Sequence, residues 1–158
     1  MHGVELVFIG LLGLLLTQVA MVDIRTRRIP NALNLAIAAL GLAQTAVHAP
    51  GWHGMLSALG AGLAASLLFL ATMWLAQRIA PGARIGAGDL KFLIAASLWV
   101  GWGGAIAVLL IACMVATLEA VVVAPWQGFS IRRMRPFGPM LAVGMLAVAI
   151  LNAEFAGR

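Results

Sequence analysis

From Phe92 to Leu118 the chain carries no charged side chain, a run longer than the ~20 apolar residues that carry a helix across a bilayer. Backbone groups in lipid have no water to bond, so they must be satisfied within the segment itself, which predicts an α-helix. Composition extends the argument to the whole molecule. Apolar side chains make up 63% of the residues and charged ones only 9%, against ~25% charged in soluble domains. Mean hydropathy is +1.06. Too few charges exist to cover a water-facing surface, so the expectation is an all-α integral membrane protein, one domain over residues 1–158.

Further apolar segments fall at about 4–23, 31–48, 55–77 and 137–153, separated by Pro- and Gly-rich connectors such as "DIRTRRIPN" and "HAPGWHG". The first has no basic residues before it and reads as a retained helix rather than a cleaved signal. The long run is either one helix or two, 90–101 and 104–124, joined at Gly101-Trp102-Gly103-Gly104. The positive-inside rule selects two. Six helices bring Arg25, Arg27, Arg28, Arg78, Arg84, Lys91, Arg132, Arg133 and Arg135 to one side, the cytoplasmic one. The expectation is therefore a bundle of six transmembrane helices with both termini non-cytoplasmic.

The same distribution accounts for the net charge of +5. Basic residues in short loops suit anionic membrane lipids and argue against nucleic acid. Cys113 is the single cysteine, so no internal disulfide and no cysteine metal site can form, and a small core residue is expected there.

The chain holds two aspartates, Asp23 and Asp89, and three glutamates, Glu5, Glu119 and Glu154. In the six-helix arrangement Asp23 ends helix 1 and Asp89 opens helix 4, on one membrane face. Each alone has an ordinary reading, Asp89 as a helix N-cap and Asp23 as part of an interfacial charge cluster with the arginines after it. Together, in so uncharged a protein, they suggest an aspartic-protease dyad, since ionisable groups at membrane depth mark functional sites. In such a dyad one carboxylate takes a proton from water while the other, protonated, polarises the scissile carbonyl. Gly86 and Gly88 are expected to carry a non-helical loop into a cavity and to let a substrate backbone approach. Helix dipoles favour Asp89, at a helix N-terminus, as the base and Asp23, near a C-terminus, as the protonated partner. Pro30 and Asn31 are expected to start helix 2, Asn31 either capping it or reaching the dyad. Glu119 either pairs with a basic loop residue or lines the substrate path.

Three ordered stretches carry a resemblance. "VDIRTRRIPNALNL" resembles the first catalytic motif of the prepilin peptidases, "GAGDLKFL" their Gly-x-Gly-Asp-x-Lys motif, and "RPFGPMLAVG" the Pro-Phe-Gly-Pro opening of their last helix. The resemblance implies a GxGD-type intramembrane aspartic endopeptidase of about six helices, with no metal and no cofactor. It would cut the leader from type IV prepilin or pseudopilin substrates on the cytoplasmic side of the bacterial inner membrane, where leader meets hydrophobic helix. It implies Asp23 and Asp89 as the catalytic pair, Gly86 and Gly88 as loop glycines, and Lys91 as the motif lysine, a partner for an acidic residue past the cut. The chain is similar to the short branch of that family, which lacks the N-terminal cysteine motif, so N-methyltransferase activity is not expected. Two other readings stay open: a preflagellin-type peptidase, and a small transporter or assembly subunit whose aspartates relay protons.

Overall fold

The computed structural model describes residues 3–48, 51–79, 86–127 and 136–156. Arg84, Arg132, Arg133, Arg135 and Arg158 lie outside these residues. The described residues form five helices: α1 (Gly3–Thr26), α2 (Asn31–His48), α3 (Trp52–Ile79), α4 (Ala87–Gln127) and α5 (Gly138–Ala156). No strand occurs among them. Three stretches, Gly3–Thr26, Ala87–Glu119 and Gly138–Phe155, are long and apolar enough to cross a membrane. The molecule is an all-α membrane protein.

The helix count differs from the expected six because helical structure continues through the 101–104 connector. Within the 41 residues of α4 only Gly101 leaves helical geometry, at φ 71° and ψ 178°. That φ suits a residue without a Cβ. Contacts with α5 show what the break does. A Cβ on Gly104 would lie 3.4 Å from Val148, while one on Gly144 would meet the Val108 carbonyl oxygen at 2.6 Å and the Ala112 nitrogen at 3.4 Å. Moving from 104 to 112 therefore moves back along α5 from 148 to 144, so the stretch after Gly101 runs antiparallel to α5. Glycine at 144 lets the two backbones approach closely, as small residues do between membrane helices.

The stretch of α4 before Gly101 is the centre of the bundle. Phe92, Leu93, Ala95, Ala96, Ser97, Trp99 and Val100 are all buried, and α4 packs on α2, α3 and α5. α1 packs on α5 and α2. It reaches α4 through side chains, the Phe8 ring standing edge-on to Trp99 at 6.2 Å between centroids. Trp99 is thus a core residue rather than an interfacial one. Cys113, expected in the core, is exposed on the second stretch of α4.

Candidate active site

The buried residues of α1 are Glu5, Leu12, Leu16, Val19 and Asp23, spaced by sevens, fours and threes, so all five share one face. Asp23 is the last member of the inward stripe, which is why a carboxylate is only 5% exposed. Its partner comes from the far end of the chain. The Gly138 amide donates to Asp23 Oδ2 at 2.8 Å, across 115 residues. The Phe137 carbonyl accepts from Met140 and Leu141, so Phe137 is the N-cap of α5 and Gly138 owns one of the amides that a helix start leaves without an internal partner. Asp23 caps α5. The fit excludes any side chain at 138, since a Cβ there would lie 2.7 Å from Asp23 Oδ2 and 2.8 Å from its Cβ and Cγ.

Asp89 occupies the first turn of α4. The Gly86 carbonyl accepts from the amides of Asp89 at 3.1 Å and Leu90 at 3.4 Å, making Gly86 the N-cap. The Asp89 side chain folds back toward it, Oδ2 standing 2.8 Å from where a Gly86 Cβ would be. Gly88 was expected in a loop; it is helical, because hydrogen bonding from Gly86 starts the helix before it. Its missing Cβ makes room instead for Ile29, 3.4 Å away in the connector between α1 and α2. That packing holds the start of α4 beside the end of α1. Asp89 is half-buried.

Lys91 and Asn31 join the same region. Lys91 Nζ donates to Asn31 Oδ1 at 2.9 Å. Pro30, not Asn31, is the N-cap of α2, since its carbonyl accepts from Leu33 and Asn34. The Asn31 side chain is thereby free to tie α2 to α4. Glu119 lies partly buried on the second stretch of α4 and enters none of these contacts.

The starts of α4 and α5 thus meet the end of α1, and the start of α2 is tied in through Lys91. The helix dipole no longer separates the two aspartates: Asp89 sits at the positive end of α4 and Asp23 at that of α5. Such an arrangement can hold two carboxyls, one proton and a water together. Gly138 was missed as a site residue because its partner is remote in sequence, although its Pro-Phe-Gly-Pro setting had been noticed.

Comparison with known proteins identifies the family. The profile of the type IV leader peptidase family matches residues 10–121. The chain is 36% identical to a prepilin leader peptidase/N-methyltransferase of Burkholderia pseudomallei, over 97% of this chain and 48% of that protein. It is 30% identical to the protein of the same description from Pectobacterium carotovorum subsp. carotovorum, over 87% of this chain and 48% of that one. The chain spans about half the length of the curated relatives it matches. No solved structure matches it significantly. With the family profile covering most of its length, Asp23 and Asp89 included, this chain belongs to the type IV leader peptidase family.

Proposed function

We propose that the protein is an intramembrane aspartic endopeptidase that removes the leader of a prepilin-like protein, with Asp23 and Asp89 as the catalytic pair. The observation that carries this reading is the meeting of the end of α1, which bears Asp23, with the starts of α4, which bears Asp89, and of α5. One carboxylate takes a proton from water, whose oxygen attacks the scissile carbonyl carbon. The other carboxyl gives its proton to the carbonyl oxygen. Collapse of the tetrahedral intermediate returns that proton and delivers the other to the leaving nitrogen, so no covalent enzyme intermediate forms. Gly86 leaves space for the Asp89 carboxyl, Gly88 for Ile29, and the Lys91–Asn31 bond ties α2 to α4 beside the pair. Lys91 also offers a cation to an acidic residue just past the cut.

The reversal at Gly101 supports six membrane crossings, the two stretches of α4 each crossing once. With Arg25, Arg27, Arg28 and Lys91 gathered at the aspartate end, the positive-inside rule puts that end in the cytoplasm of a bacterial inner membrane and both termini on the other side. The substrate enters as a membrane helix with a cytoplasmic leader.

The test is cleavage by the full chain in liposomes. A prepilin-like substrate, a preflagellin-like one and one with a scrambled leader are compared, and the new N-terminus is read by mass spectrometry. Cleavage of the first alone, at the boundary of leader and hydrophobic segment, is expected. Cleavage of the preflagellin alone would move the reading to that substrate, and no cleavage of any by correctly inserted protein would overturn it.

A further inference from the structure

Asn34 is a buried polar residue that the mechanism leaves unused. Asn34 is 6% exposed, and neither Oδ1 nor Nδ2 of its amide has a hydrogen-bond partner among the described residues. An amide sealed in an apolar interior without partners is costly, and buried polar groups are rarely left so. Its place is specific. The inward face of α2 is Asn34, Ile37 and Gly41. A Cβ on Gly41 would lie 3.1 Å from the Trp99 nitrogen, which sets that face against α4. One turn before Asn34, Asn31 bonds Lys91 of α4. Asn34 therefore lies in the seam between α2 and α4, one turn further from the helix starts than the Lys91–Asn31 bond. The nearest hydroxyl along that part of α4, Ser97, is already engaged with the Ile94 carbonyl at 2.7 Å.

A dyad that hydrolyses a peptide bond needs that bond in extended backbone. A substrate that enters as a membrane helix must unwind around the cut, and each unwound residue frees a carbonyl and an amide that lipid cannot satisfy. A side-chain amide with an unused donor and an unused acceptor is the hydrogen-bonding complement of a peptide group. We propose that Asn34 is a substrate-binding residue: when the α2–α4 seam parts, its amide takes the backbone freed on the membrane side of the scissile bond. The inference rests on the proposed peptidase function and adds how the unwound substrate is held. It also gives the amide a purpose, since bonds it lacks among the described residues form in the complex.

The experiment uses the full chain in liposomes and a synthetic substrate of leader plus hydrophobic segment. Each of the first three peptide bonds past the cut is replaced in turn by an ester, which removes one amide donor. Wild type is expected to lose about fivefold in kcat/KM at one of these positions, the worth of about one hydrogen bond. Asn34→Leu is expected to raise the thermal midpoint, to lower kcat/KM for the all-amide substrate, and to show no further ester penalty at that position. Equal kcat/KM in wild type and Asn34→Leu, or an ester penalty of the same size in both, overturns the proposal; the amide would then serve only a water or the packing. Should Asn34→Leu fail to insert, Asn34→Ala, smaller and likewise without a hydrogen-bonding side chain, carries the same ester comparison. Asp89→Asn runs alongside. A wild type that cleaves while Asp89→Asn does not keeps the function standing whatever Asn34 does, and a wild type that cleaves nothing defeats the function itself.

Discussion

Asp23 and Glu5 stand on the same face of α1, and both are buried, 5% and 7% exposed. Their surroundings are opposite. Asp23 receives an amide from the start of α5. Glu5 lies beside His48, the last residue of α2, with Oε1 3.6 Å from Nε2 and Oε2 without a hydrogen-bond partner among the described residues. Helix starts present amides to an anion and helix ends present carbonyls. Glu5 stands in the first turn of its own helix, whereas Asp23, at the end of α1, accepts an amide from the start of another, α5. Under the proposed function, what sets Asp23 apart from Glu5 is not burial but the amide it accepts from the start of α5.

Seven single substitutions test this contrast, in descending order of expected effect. Replacing either Asp23 or Asp89 with Asn should lower the initial rate of leader cleavage in liposomes by a factor of about 1000 or more, with insertion unchanged. Gly138→Ala should cost about a hundredfold in kcat, since misplacing a reacting group by about an ångström has that effect. It should also lower the thermal midpoint, because the added Cβ meets Asp23 Cβ as well as its oxygen. Gly86→Ala should be milder, about tenfold in kcat with the midpoint unmoved, as only the free end of the Asp89 side chain must swing aside. Lys91→Ala and Asn31→Ala should each cost about fivefold in kcat/KM, and the double variant no more than the worse single one, since they share one bond. At the bottom, Glu5→Gln should stay within about twofold of the wild-type rate. A large loss there, in protein that still inserts, would erase the distinction between the two ends of α1.

Much of this was legible in the chain. The expected bounds 31–48 coincide with α2 (Asn31–His48), and the outer bounds of the other elements fall within a few residues, the division at 101–104 apart, because Pro30, Gly86 and the Pro136–Gly138 stretch punctuate apolar runs that only helices can form. The expectation that Asp23 pairs with Asp89 rests on scarcity and on sidedness. What could not be read was which face of each helix turns inward. In a soluble helix the polar face announces the outside; here lipid and core are both apolar, so Leu12 and Leu14 look alike in sequence although one is fully buried and the other 66% exposed. For that reason the burial of Asn34 and the partner of Asn31 were invisible. Gly138 was hidden differently, because its role is to leave space for a residue 115 positions away.

The most direct measurement is the residual cleavage rate of the Asp23→Asn/Asp89→Asn double variant set beside each single variant in the same liposomes. Two carboxyls acting as one water-activating unit predict that all three share the same trace of activity, because losing either disables both. Losses that multiply in the double variant, or a single variant that keeps a tenth or more of the wild-type rate, would contradict the account.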